Sequence, residues 1–152
     1  MNLPYNPYYL SEQDMLNLVD AVERQGEADW QLFLSYAEEI HLPPGGVLIR
    51  QGDADRSVFV LTSGMVDVTT TRGEGPTETV ASVQPVAIFG EQTFLDGQSR
   101  TATVTASEDV IVHRLRLSDF DRLRSEEPEI ACAFLFDVAR TASLRIRDLV
   151  GE

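Results

Sequence analysis

In FGEQTFLDGQSRTATV, residues 89–104, the acid Glu91 follows Gly90 directly, and Arg100 arrives nine positions later (100 − 91), just before Thr101 and Ala102. A guanidinium offers a planar fork of donors that matches two phosphate oxygens. Free backbone N–H groups at a helix start also favour negative charge. If Gly90 to Thr93 form a tight turn into one turn of helix, and Gly97 turns the chain back, Arg100 returns beside Glu91 and an anion pocket results. A carboxylate next to a phosphate is repulsive unless it accepts a hydrogen bond from a hydroxyl. The pair therefore suits a ligand with an ionised phosphate adjacent to a sugar hydroxyl. The plainer alternative is a surface ion pair worth about 0–1 kcal/mol.

Other chemistry is poorly supplied. His41 and His113 are too few and too far apart for a metal cluster, and both are expected to be structural. Cys132 stands alone among Ala131, Ala133 and Phe134, which predicts a small buried thiol without a redox role and rules out an internal disulfide framework. No nucleophile–base pairing is evident, so no catalytic residue is assigned and an enzyme is not expected. The net charge of −13 comes from 25 acids against 12 bases, all of them arginine. Such a surface disfavours nucleic-acid binding through a broad basic field, while leaving room for one local arginine site. The start MNLPYNPYYL carries no positive n-region, and no run approaches the ~20 apolar residues of a membrane span. A cytoplasmic location is expected.

The elements that must position Glu91 and Arg100 follow from periodicity. Ser11 as N-cap, then Met15, Leu16, Leu18, Val19 and Val22 on one stripe, predict a helix closed by Gly26. Trp30, Phe33, Leu34 and Ala37 predict a second one in ADWQLFLSYAEEI, which makes the first forty residues helical. From HLPPGG onward the chain reads in short β-branched runs: Val47 and Ile49; Val58, Val60 and Leu61; Met65, Val66 and Val68; Ile111 to Leu117. Turn signals lie between them at Gly52-Asp53, Ser63-Gly64, Gly73 to Pro76 and Asp96-Gly97. Ser118 is read as the N-cap of a short helix, and Pro128 opens a longer one. The fold class is α+β, mainly β: an eight-stranded β-roll or jelly roll flanked by N-terminal helices and two C-terminal helices.

The run F-G-E followed by R-T-A, together with Gly45, Leu48, Gly52-Asp53, Phe59 and Gly64 upstream, resembles the cyclic nucleotide-binding domain family, whose phosphate-binding cassette the opening stretch matches. The likeness covers about residues 40–150. It departs at Gln84 to Ile88, where the family's usual turn is replaced, and at Gln92 and Thr93. The resemblance implies that Arg100 pairs with the cyclic phosphate, that Glu91 accepts from the ribose 2′-hydroxyl, and that amides around Gly90, Gln92, Thr101 and Ala102 complete the cradle, with Thr93 beside them. It also implies a lid from the last helix, for which Arg140, Arg145 and Arg147 are candidates. Thr101 is compatible with either purine; cAMP is placed ahead of cGMP.

The chain is read as a single domain over residues 1–152, with N-terminal helices at 1–41, the roll at 42–117, its cassette at 89–102, and hinge and lid helices at 118–152. Two apolar rows run along the final helix: Cys132, Phe136, Ala139, Ser143 and Ile146 in one, Ala131, Leu135, Val138, Ala142 and Leu149 in the other. One row can pack on the roll and the other on a partner, and the four-three spacing of the first resembles a coiled-coil seam, so a homodimer is considered. A cyclic-nucleotide sensor that moves its C-terminal helices is the expected function, with no cofactor, metal or membrane segment and no helix-turn-helix. Its output is expected to pass through a partner protein or a fused effector domain. The alternative is a degenerate fold that acts as an interaction or dimerisation module without nucleotide.

Overall fold

Short β-branched runs broken by glycine turns become, in a computed structural model that describes residues 26–150, eight strands flanked by four helices. The order is α1 (Glu27–Ser35), β1 (Glu38–Leu42), β2 (Val47–Ile49), β3 (Ser57–Ser63), β4 (Val66–Thr71), β5 (Thr77–Val83), β6 (Ala87–Phe89), α2 (Glu91–Asp96), β7 (Thr103–Ala106), β8 (Val110–Arg116), α3 (Leu117–Glu126) and α4 (Pro128–Val150). Two four-stranded antiparallel sheets face each other, β1-β8-β3-β6 and β2-β7-β4-β5. The helix expected around residues 11–25 lies outside the described residues.

The roll closes around one apolar core. Phe59, Leu61, Phe89, Val110 and Val112 come from the first sheet, and Ile49, Val66, Val68, Ala81, Val83 and Val104 from the second. A second core lies on the outer face of the first sheet, where Val58, Val60, Ile88 and Leu115 meet Phe33 of α1, Phe94 of α2, Phe120 and Leu123 of α3, and Ile130, Phe134 and Val138 of α4. The Phe33 and Phe134 rings lie 4.6 Å apart between α1 and α4. Residues 57–61 of β3 are buried on both faces, and this is why VFVL reads as a continuous apolar run rather than an alternation. Gly64, at φ +88°, follows it; a Cβ there would lie 2.2 Å from the Asp109 carbonyl oxygen, so only glycine fits this turn.

Four readings of the sequence need correction. The second helix stops at Ser35, and Glu38–Leu42 is a strand: the Ile40 and Leu42 alternation packs toward the roll, and Glu38 is held by Arg114 at 2.8 Å and Arg116 at 2.7 Å. The roll therefore begins at residue 38 rather than 42. The N-cap of α3 is Arg116 and not Ser118, because the Leu117 N–H already bonds the Arg56 carbonyl, and the Asp119 carboxylate accepts the Arg116 N–H at 2.9 Å. Cys132 is exposed, since the adjacent Ala131 and Phe134 take the packed side of α4. Leu135 is 40% exposed and does not belong to the packed row; Ile130, Phe134, Val138, Thr141 and Arg145 do, at spacings of three and four.

His113 sits on β8 between β1 and β3, opposite Glu39 and Val60. It is 7% exposed, and its Nδ1 is buried without a hydrogen-bond partner among the described residues. Burial holds its imidazole below the ordinary 6.5; Glu39 pushes it back up, and His41 pushes it further down. The unfolded chain therefore takes up a proton that the folded chain resists. This contribution to stability is fully present above about pH 6.5 and is lost as pH falls from there toward the lowered folded value. In urea unfolding at about pH 7.5 and 5.5, His113→Phe is expected to lose less stability on acidification than the wild type; equal losses would acquit His113.

Candidate functional site

Gly90 leaves β6 in the left-handed region, at φ +79°, and begins α2, while Gly97 ends α2 at φ +71°, so two glycine bends bracket the six residues of this helix. A Cβ on Gly90 would come within 2.8 Å of the Arg100 Nη1 and 3.2 Å of the Phe59 ring. Glycine is thus demanded here twice, by the backbone angle and by the closeness of the guanidinium. The bends return the chain to Arg100 as the spacing predicts.

Arg100 is 6% exposed, and its donors meet main-chain oxygens. Its Nη1 donates to the Gly90 carbonyl and its Nη2 to the Ser57 carbonyl, both at 2.7 Å, while the Asp55 carboxylate stands 3.8 Å from Nη2. The Phe59 ring lies 5.8 Å from its Cζ. Burial pulls the guanidinium below its ordinary pKa, and the charges of Asp55, Glu91 and Asp53 pull it back up; an arginine so placed stays cationic. Its backbone is fixed as well, because the Arg100 N–H donates to the Asp53 carbonyl at 2.6 Å and the Gly52 N–H donates to the Arg100 carbonyl at 2.9 Å. The upstream Gly52-Asp53 turn is therefore the socket that receives Arg100.

Glu91 and Arg100 line one cleft together with Ile49, Phe89, Gly90, Gln92, Thr93, Thr101, Ala102 and Val104. All seven cassette residues singled out from the sequence are among them. Glu91 and Arg100 do not form a surface ion pair: both are buried, and Glu91, 3% exposed, is taken by Arg145 of α4, whose Nη1 is 2.6 Å from its Oε2. Arg145 also donates to the Ile88 carbonyl at 2.7 Å from Nη2, which ties the last helix to both ends of the β6–α2 junction. Of the three lid candidates, Arg145 meets the cassette, through Glu91 and the Ile88 carbonyl. Arg140 is half-buried, Arg147 is exposed, and neither lines the cleft.

Gln92 and Thr101 are exposed at the mouth, with the Thr101 Oγ1 3.4 Å from the Gln92 Oε1, while Thr93 is 2% and Ala102 8% exposed. The cleft is shallow and half open to solvent, with room for one or two waters at about 30 Å³. Sequence reasoning missed Ile49, Phe89 and Val104 as wall residues, although all three are inward positions of strands that alternate or are wholly apolar. It also missed Asp55 and Ser57, for which no local pattern exists. Among the described residues no group of three or more His, Cys, Asp or Glu could hold a metal ion, and no helix is long and apolar enough to cross a membrane.

Comparison with known proteins agrees with this geometry. A cyclic nucleotide-gated potassium channel of Mesorhizobium japonicum is 37% identical over 93 residues, 61% of this chain and 24% of the channel. The cyclic AMP receptor protein of Thermus thermophilus is 32% identical over 100 residues, 66% of this chain and 46% of that protein. The chain thus spans between a quarter and a half of the length of these relatives. The crystal structure of the Thermus thermophilus catabolite activator protein superposes with a TM-score of 0.71 at 29% identity, covering 85% of this chain and 60% of that one. The family model of the cyclic nucleotide-binding domain matches residues 39–127, from β1 through the end of α3, and takes in both glycine bends, Glu91 and Arg100. With more than half of its length inside that match, the chain belongs to the cyclic nucleotide-binding domain family.

Proposed function

We propose that the chain is a cyclic nucleotide sensor whose occupancy is read out by α4, and that it acts by binding rather than by catalysis. The observation that carries this reading is the shared cleft of Arg100 and Glu91, with Arg145 of α4 closed onto the same carboxylate. Arg100 takes the cyclic phosphate; its charge is already desolvated and aimed, so little side-chain entropy is left to lose on binding. Amides around Gly90, Gln92, Thr101 and Ala102 complete the cradle, with Thr93 behind them. Glu91 accepts from the ribose 2′-hydroxyl. A sugar hydroxyl that engages Glu91 competes with Arg145 for the same carboxylate, so seating a nucleotide shifts the cassette, α4 or both.

That movement is the signal. A ligand shifts an equilibrium only by binding one arrangement more tightly than the other, and the Glu91–Arg145 pair supplies two arrangements, one with the carboxylate held by α4 and one with it shared with a sugar hydroxyl. cAMP is preferred over cGMP in this reading, which the name of the Thermus thermophilus receptor supports. The described roll and helices form one domain. Output passes to a partner protein or fused domain.

A second feature of α4 supports self-association. Cys132, Phe136, Ala139, Ser143 and Ile146 form an exposed row with four-three spacing, and Phe136 and Ile146 are each 60% exposed. A homodimer that pairs this row with its copy would cover it. The same row serves the rival reading, in which the domain is an interaction module without nucleotide.

Calorimetric titration with cAMP, cGMP and cyclic dinucleotides separates the readings. Binding of a cyclic mononucleotide, lost by about 30-fold or more in Arg100→Ala, is expected; equal affinity in the two proteins would end the sensor reading. In unfolding experiments Arg145→Met should cost about 3–5 kcal/mol by stranding the buried Glu91 carboxylate, and adding Glu91→Gln should recover most of it; additive losses would mean that the pair is not coupled. Sedimentation of Ile146→Glu is expected to show a monomer where the wild type dimerises, and an unchanged mass would move the self-association elsewhere.

A further inference from the structure

Arg56 takes no part in the cleft, yet two of its three guanidinium nitrogens donate to the cassette helix. Nε donates to the Phe94 carbonyl at 3.1 Å, and Nη2 donates to the Phe94 carbonyl at 2.9 Å and the Leu95 carbonyl at 3.0 Å. These are carbonyls of the last turn of α2, which have no partner within so short a helix. A cation there forms charge-assisted hydrogen bonds and opposes the negative end of the helix. Among the described residues no carboxylate lies within ion-pair distance of Arg56, so its charge is spent on main-chain oxygens. The stem packs under the second glycine bend, where a Cβ on Gly97 would lie 3.5 Å from the Arg56 Cδ.

The main chain at the same place makes two further connections. The Arg56 carbonyl accepts the Leu117 N–H, the first of α3, at 3.0 Å. The next carbonyl, that of Ser57, accepts Arg100 Nη2 at 2.7 Å. Residues 56 and 57 thus touch the end of the cassette helix, the beginning of the C-terminal helices and the phosphate-seeking arginine within one dipeptide. The oxygen that holds Arg100 and the oxygen that holds α3 belong to adjacent residues of one chain segment.

We propose that Arg56 is a positioning residue that fixes α2 to the β3 entry and, through its own carbonyl, transmits movement of the cassette to α3. This rests on the sensor reading above, since the movement to be transmitted is the one that nucleotide binding causes. Arg56 sets where α2 stands, whereas Arg100 supplies the attraction, and loss of the two side chains therefore has separable effects. Without its guanidinium, α2 keeps its glycine bends but loses the grip on its last turn. Ligand can still find Arg100, but the end of α2 no longer moves as one body with residue 56.

Hydrogen exchange with and without saturating cAMP or cGMP, in wild type, Arg56→Met and Arg56→Lys, tests the proposal alongside calorimetry on the same proteins. In the ligand-free state, Arg56→Met is expected to speed exchange of amides 94–97 by about tenfold, the loss of one or two net hydrogen bonds. With nucleotide, wild type should change its exchange at both 91–97 and 117–126. Arg56→Met should bind with at most about a tenfold weaker dissociation constant, yet lose the response at 117–126; Arg56→Lys, which keeps the charge but reaches fewer oxygens, should restore part of it. Arg56→Met that still carries the full response to 117–126 overturns the proposal, as does unchanged ligand-free exchange at 94–97. A wild type that binds no cyclic nucleotide overturns the sensor reading itself and the transmission built on it, and the calorimetry of the wild type distinguishes that failure from the failure of Arg56.

Discussion

A guanidinium removed from water must be met by oxygen, and the site is organised around meeting Arg100. Desolvating a cation without partners costs several kcal/mol; here two carbonyls at 2.7 Å and an aspartate at 3.8 Å answer it. One carbonyl belongs to the glycine bend before α2 and the other to the first residue of β3, so the charge links two segments 33 residues apart in sequence (90 − 57). The loop at Gly52-Asp53 and the bend at Gly90 are shaped by the same need. Much of what looks like loop geometry in this chain is the surround of one charge.

That Gly90, Glu91 and Arg100 line one cleft was easier to read from the sequence than the contacts that hold them there. Gly90, Glu91 and Arg100 were legible because a left-handed bend, an acid and a fork-shaped donor at that spacing have few structural uses. The glycine-punctuated β-branched runs likewise disclosed the roll. β1 was hidden because YAEEIHL continues a helical stripe for one turn more, and its partners on β8, with Arg114 and Arg116 on Glu38, are distant in sequence. Cys132 was misread because a small apolar neighbourhood in sequence says nothing about which side of α4 faces the roll. Asp55 and Ser57 carry no local pattern, since one contributes a charge and the other a carbonyl that any residue would possess.

Arg145 is the link that joins the site to the rest of the molecule. A helix whose buried row ends in an arginine pays for that burial unless the arginine finds a carboxylate, and Glu91 is the carboxylate it finds. The final helix is thereby held by contacts of different character, among them Ile130, Phe134 and Val138 in the apolar core and, at the cassette, the Arg145 ion pair with Glu91 and its bond to the Ile88 carbonyl. Apolar packing tolerates small sliding with little directionality, whereas the ion pair has a defined geometry.

β3 is a wall common to two cores. Val58 and Val60 face the helices, Phe59 and Leu61 face the roll interior, and all four are 1% exposed or less. Dissolving either core strips one face of this strand and leaves it wet beside a strand pairing that depended on both. The helices and the barrel consequently share their fate under heat or denaturant: melting is expected as a single cooperative transition, because no intermediate keeps one compartment dry while the other floods.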